Sequence, residues 1–540
     1  MKDINELRSQ LGALVGQKKF DQARTELLAA LANQQDNAEI LLMLGSVEMM
    51  AGNLPASKAW LEKSNQLAPE NTMCLVQLGS VCQQLQMLDE AIAHFKSAIA
   101  VKPDIPQARI FLGRLLKMKM DNHGAIEQLE QELKLRPDNV GVLANLALLY
   151  DQVNQHDKSA EAASLALKLQ PVHIGAMMAL ANVETYRGNY AEAEALYRRI
   201  TAAPDNDDQF CIAQTQLGHV LDKQGRYGEA FQAFDIANTT WKQAAARQNI
   251  NAHDFQGVVR DTANWTRENL DKLCHTTPAD TGPGQSPLFF VGFPRSGTTL
   301  LEQVLEQHPK IVSSREYPFI NQLVDNLPLK TKPEAAYPYF LDSLDDDQVR
   351  TLRLAYRTLA GSQINELSDD SILLDKLPLN IVHLPFVSRV FPESKVLVAL
   401  RDPRDVCLSC YQQAFGLNTA MANFLDLETT AKLYADIMGL WIDFRSALGL
   451  HWMEYRYEDL VDNFDSVTRD IFNFLELEYP ENAGDYYKDN KSTMLTPSYH
   501  DVSKPIYSRA KARWRNYKKQ LEPVEEILAP FIEAFQYPKD

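Results

Sequence analysis

Two architectures in succession are expected from the sequence: an all-α solenoid of helical repeats, then an α/β domain built on a parallel sheet. Three observations point there. Leucine–small-residue pairs recur every 34 residues through the first half of the chain. After residue 286, short apolar runs alternate with helix-compatible stretches, the pattern of a parallel sheet with helices on its faces. Between the two lies a Pro/Gly/Ser/Thr-rich stretch, 276–286, which reads as a linker.

The repeat register is strict. Leu44-Gly45, Leu78-Gly79, Leu112-Gly113, Leu146-Ala147 and Leu180-Ala181 share it with Pro69, Pro103, Pro137 and Pro171, and with the small residues Ser57, Ala91, Ala125, Ser159 and Ala193. Small residues at a helix crossing let two helices approach, and the proline ends the second helix of each unit. Thirty-four is the tetratricopeptide period. An earlier unit near Leu11 to Asn37 and a later one at Leu217-Gly218, Ala230 and Phe234, after an insertion at 203–208, bring the array to about seven units over 1–241. Residues 242–275 are helix-compatible and polar and are expected to close the array, so that 242–285 forms a capping helix and linker and 286–540 the second domain. Such arrays expose a concave groove, and a peptide or protein partner is expected for it.

The formal net charge of −17 argues against a nucleic-acid or anionic-membrane binder, which needs a basic face. Six cysteines, at 74, 82, 211, 274, 407 and 410, are too scattered for a disulfide framework. With no signal-peptide core at Met1-Lys2-Asp3-Ile4 and no apolar run of spanning length, a cytoplasmic, membrane-free location is expected.

The chemistry is concentrated in two strand–turn–helix segments. Leu288 to Val291 reads as a buried strand and Thr298 to Gln307 as a helix; between them Gly292-x-x-x-x-Gly297-Thr298-Thr299 has P-loop spacing with Thr298 in place of the lysine. Backbone N–H groups and a helix N-terminus still hold an anion there, and the cation is Arg295, inside the loop. Lys395 to Leu400 is a second strand, followed by Arg401-Asp402-Pro403, where Asp402 caps a helix and Pro403 takes its first position. Arg401 and Ser409 then make a second anion site. Two phosphate-sized sites on one sheet suit a nucleotide phosphorylated at two positions.

Phe293-Pro294-Arg295-Ser296-Gly297-Thr298-Thr299-Leu300 resembles the 5′-phosphosulfate loop of sulfotransferases, and Leu400-Arg401-Asp402-Pro403-Arg404-Asp405-Val406-Cys407-Leu408-Ser409 resembles their 3′-phosphate motif. The resemblance covers roughly 286–540 and runs to the protein-tyrosine sulfotransferases and to enzymes that join such a domain to tetratricopeptide repeats. It implies 3′-phosphoadenosine 5′-phosphosulfate as sulfuryl donor, with no metal, and an acceptor hydroxyl, protein tyrosine among the candidates. Sulfuryl transfer needs a base for the acceptor and cations for the leaving phosphate. The resemblance implies Glu316 as base, and Arg295 and Lys376, the latter in Asp375-Lys376-Leu377-Pro378, at the leaving group. Ser296, Gly297, Thr298 and Thr299 are implied at the 5′-phosphosulfate, Arg401 and Ser409 at the 3′-phosphate, and Tyr457, Ser498 and Arg513 on the nucleotide side. Pro318 stands where the tyrosylprotein enzymes carry an arginine, so a different acceptor pocket is expected.

Cys407-x-x-Cys410 has no second ligand pair and reads as packing; His308 and His383 read as core or capping residues. Two other functions fit parts of the pattern: a repeat scaffold with a degenerate nucleotide-binding domain, and a P-loop kinase, against which Thr298 counts.

Overall fold

The computed structural model describes residues 4–34, 36–105, 107–273, 286–326, 336–364, 366–487 and 511–539. An all-α solenoid precedes a domain with a five-stranded parallel sheet. Seven helical hairpins run from Ile4 to Arg247: α1 (Ile4–Gly16) with α2 (Phe20–Asn33), α3 (Ala38–Met50) with α4 (Leu54–Leu67), α5 (Thr72–Gln84) with α6 (Leu88–Val101), α7 (Ala108–Met118) with α8 (Asn122–Leu135), α9 (Val140–Gln152) with α10 (His156–Leu169), α11 (Ile174–Arg187) with α12 (Tyr190–Ala202), and α13 (Asp207–Lys223) with α14 (Tyr227–Arg247). The chain divides into two compact units between Leu196 and Tyr197, inside α12.

In the first unit the periodic residues do what their size demands. A Cβ on Gly45 would lie 2.5 Å from Leu61 Cγ, so only glycine lets α3 meet α4 this closely. The small partner position is tied across the same crossing: Ser57 Oγ donates to Gly45 O and Ser159 Oγ to Ala147 O, both at 2.7 Å. Asn37, Asn71 and Asn139, themselves on the 34-residue register, cap α3, α5 and α9 by accepting first-turn N–H groups. Each cap stabilises its helix by about 1 kcal/mol.

In the second unit, β1 (Leu288–Gly292), β2 (Ile311–Ser313), β3 (Ile372–Lys376), β4 (Lys395–Leu400) and β5 (His451–Arg456) form one sheet in the order β2-β3-β1-β4-β5, every pair parallel. The central strands are buried on both faces. Phe289, Val291, Val396 and Val398 point into one apolar cluster, and Leu288, Phe290, Leu397 and Ala399 into another. That is why β1 and β4 read as continuous apolar runs.

Helix α15 (Ala252–Leu273), read from sequence as closing the array, has Val259 and Trp265 in the same cluster as Phe289, and Trp265 Nε1 donates to Asp342 Oδ2 at 3.1 Å. The seventh hairpin also belongs to this unit. Asn238 Nδ2 donates to Tyr411 O at 2.9 Å, Tyr411 Oη to Asp235 Oδ1 at 3.0 Å, and Asp222 takes both Tyr517 Oη (2.6 Å) and the Arg513 guanidinium (2.9 Å). An amphipathic pattern reveals that a face is buried and not which core buries it. The folding unit is therefore expected to begin at Tyr197: a fragment 197–540 should unfold cooperatively, whereas 286–540 should not fold. Loss of a buried tryptophan such as Trp265 costs about 3–5 kcal/mol, a large share of the roughly 5–15 kcal/mol that holds a domain together. Thermal unfolding of the two fragments followed by circular dichroism tests this; a cooperative transition in 286–540 would refute it.

Candidate active site

Every predicted site residue in the described part of the sheet domain except Arg513 and Ser409 lies at or just past the carboxyl end of a strand, or in the helix start that follows it. This is the edge at which parallel α/β sheets bind ligands. The loop after β1 turns through Arg295 (φ 69°) and Gly297 (φ 88°) into α16 (Thr298–Leu305). Glycine is required at 297 twice over: its φ is left-handed, and a Cβ there would lie 2.3 Å from Tyr457 Cδ2. Ser296, Thr298 and Thr299 are buried beside it.

After β4, Asp402 caps α17 (Pro403–Tyr411) by accepting from Arg404 N at 3.0 Å, with Pro403 in the first turn, as the sequence predicted. This brings the two anion motifs into one cluster. Arg295 Nε donates to Ser409 Oγ at 3.0 Å, and Arg401 Nη1 donates to the Arg295 carbonyl at 2.8 Å. The Arg401 guanidinium lies 4.9 Å from the Tyr457 ring centroid, at the geometry of a cation–π contact. Arg404, the other arginine of the motif, points away: it pairs with Asp402 (2.8 Å), lies 3.6 Å over the Trp514 ring, and donates to the carbonyls of Pro538 and Lys539.

A second cluster gathers around Lys376, the last residue of β3. Its Nζ lies 2.9 Å from Glu302 Oε2 and 2.5 Å from Glu316 Oε1. The turn that presents Glu316 follows β2, and both Arg315 (φ 49°) and Glu316 (φ 65°) are left-handed non-glycine residues. Two consecutive residues so placed cost of order 1–2 kcal/mol each, the kind of local strain that collects at functional sites. Serine hydroxyls hold the turn: Ser313 Oγ accepts from Arg315 N at 3.0 Å, and Ser314 Oγ from Lys376 N at 2.9 Å. Burial works against the Lys376 ammonium, but Glu302 and then Glu316 outweigh it and hold its pKa above the usual lysine value.

The neighbouring Asp375 faces elsewhere. Fully buried, its carboxyl is pushed up to about 7, and it takes a hydrogen bond of 2.5 Å from Tyr356 Oη. His383 is held down to about 4 by burial, as expected of a core residue. Cys407 and Cys410 are buried free thiols, and Cys410 Sγ donates to Pro294 O, so the pair packs α17 under the loop.

Two more residues are implied on the nucleotide side. Arg513 pairs with Asp222, an acid 291 positions away in sequence that no motif reveals. Ser498 lies outside the described residues. Sequence reasoning also passed over Glu302, whose only signal is an acid set among the apolar residues of α16.

Residues 287–481 match the model described as the sulfotransferase family, and 13–72, 74–105 and 145–208 match tetratricopeptide repeat models. The chain joins tetratricopeptide repeats to a sulfotransferase-family domain. An uncharacterized protein of Aquifex aeolicus is 28% identical over 60% of this chain and 42% of its own length. Protein-tyrosine sulfotransferase A of Caenorhabditis elegans is 22% identical over 42% of this chain and 61% of its own length. The chain thus spans less than two thirds of each of these relatives. Among solved structures, a tetratricopeptide repeat protein from Parabacteroides merdae is 17% identical, with a TM-score of 0.35 over 44% of this chain and 92% of its own. Among the described residues no helix is long and apolar enough to cross a membrane.

Proposed function

We propose that this chain transfers a sulfuryl group from 3′-phosphoadenosine 5′-phosphosulfate to an acceptor hydroxyl, with the repeats holding a protein or peptide partner. The observation that carries the reading is the meeting, at one sheet edge, of an Arg295–Ser409–Arg401 cluster with a Glu316–Lys376 pair. The residues suit a donor charged at both ends. Gly297 lets the loop close against the Tyr457 ring, the N-terminus of α16 carries no side-chain cap and suits an anion, and Arg295, Arg401 and Lys376 supply positive charge in a chain whose net charge is −17.

Each residue has a distinct task. Arg401 and Ser409 hold the 3′-phosphate, with Tyr457 against Arg401. Ser296, Gly297, Thr298 and Thr299 hold the 5′-phosphosulfate through N–H and hydroxyl donors. Arg295 and Lys376 neutralise the phosphate oxygen from which the sulfuryl group departs. Glu316, its side chain 35% exposed, takes the proton of the acceptor hydroxyl, a role closed to the fully buried Asp375. No metal ion is required by this division of work.

Incubation with the labelled donor and three acceptor classes, a tyrosine-peptide library, polysaccharides and small phenols, tests the reading. Label on a hydroxyl of one or more of the peptides is the expected result. Label only on the other classes would discard the peptide clause, and label on none would discard the transfer itself.

A further inference from the structure

We propose that Glu302 is a positioning residue of this site: from α16 it holds Lys376 in place and charge-balanced, so that Glu316 is free to act as base. The inference rests on the transfer reading above and deepens it. Two carboxylates share one ammonium here, and they are not equivalent. The Lys376 and Glu302 side chains are 0% and 1% exposed, that of Glu316 35%. Glu302 is also fixed from behind, since Ser313 Oγ donates to its Oε1 while Oε2 faces Lys376. The buried arm is the anchor and the half-exposed arm is the one that can turn.

The chemistry requires such an anchor. As the acceptor oxygen forms its bond to sulfur, its proton passes to Glu316, and the breaking S–O bond leaves its electron pair on the phosphate oxygen that Arg295 and Lys376 face. Protonation removes the charge of Glu316. With Glu316 as sole partner, that event would leave a buried ammonium without its anion on the protein, so the proton transfer would be opposed; Glu302 removes the opposition. Among the described residues, a further titratable group beside this pair is Glu306, the C-cap of α16, which burial and the charge of Glu302 push up to about 7, with Arg315 nearby on the turn. Asp375, next to Lys376 on β3, faces Tyr356.

Glu302→Gln keeps the size of the side chain and removes its charge. Turnover at saturating donor should fall roughly 10–100-fold, the range seen when a partner that orients a catalytic group is lost, with affinity for adenosine 3′,5′-bisphosphate within about threefold. The alkaline limb of the kcat profile should move to lower pH, because an ammonium with one counter-charge fewer loses its proton sooner. Ser313→Ala keeps both charges but loosens Glu302 and also frees Arg315 N in the turn that presents Glu316, so its turnover should fall as well, and the pH titration of Lys376 in it decides the matter if Glu302→Gln does not fold. A folded variant with unchanged turnover and an unchanged alkaline limb overturns the proposal. The titration of Lys376 against pH, followed by NMR of the protein carrying ¹⁵N-labelled lysine, needs neither transfer activity nor access of a reagent to a side chain that is 0% exposed. An earlier titration in Glu302→Gln supports the anchoring even if no acceptor is ever labelled, whereas identical titration in both proteins overturns it.

Discussion

Replacing Glu316 by glutamine is expected to lower turnover by roughly 10²–10⁴-fold while leaving affinity for adenosine 3′,5′-bisphosphate nearly intact. The amide keeps the size of the carboxylate and most of its hydrogen bonding, so what is lost is the capacity to take a proton. The structure sharpens the expectation, because Glu316 sits on Lys376 at 2.5 Å rather than beside Arg315 as a surface pair, and its neutralisation leaves Lys376 still partnered by Glu302 at 2.9 Å. Folding should therefore survive. Exposed ion pairs are worth about 0–1 kcal/mol, and a purely structural Glu316 would show a loss of that order in stability with no change in rate. Titration with the desulfated nucleotide followed by initial rates at saturating donor separates the two outcomes, and unchanged turnover in a folded variant removes Glu316 as the base.

Arg401→Ala is expected to weaken a 3′-phosphorylated donor by about 2–3 kcal/mol more than an analogue lacking that phosphate, a factor of roughly 30–150. A common loss for both nucleotides should accompany it. Arg401 also donates to the Arg295 carbonyl at 2.8 Å, so its removal loosens the loop that holds the other end of the donor. The informative quantity is the difference between the two ligands, measured by calorimetry; equal losses would reduce Arg401 to a loop support.

The legible parts of this molecule are those written in local pattern. Three classes of residue on one 34-residue register announced the hairpins, and the apolar runs at Leu288 and Lys395, each feeding a turn and a helix, announced β1 with α16 and β4 with α17. What pattern does not carry is pairing across distance. The Glu316–Lys376 pair joins residues 60 apart, and its second carboxylate, Glu302, is masked by the apolar residues around it. Nor did any signal foretell the left-handed turn at Arg315 and Glu316, where no glycine marks the spot. The allegiance of α15 and of the last hairpin was hidden for the same reason, since Trp265 or Asn238 would look alike in either core.

The contacts of that last hairpin bear on how substitutions should be read along the array. In the repeat register Asp235 falls at the polar positions Glu62, Lys96, Glu130, Ser164 and Arg198, where one side chain ordinarily replaces another, and Asp222 and Asn238 fall at mixed positions that fix no residue type. Here each holds a partner in the sheet domain: Arg513 and Tyr517, the Tyr411 hydroxyl, and the Tyr411 carbonyl, respectively. Tolerance to mutation is thus aperiodic in a periodic sequence, and a consensus drawn from the other six hairpins would misjudge the seventh.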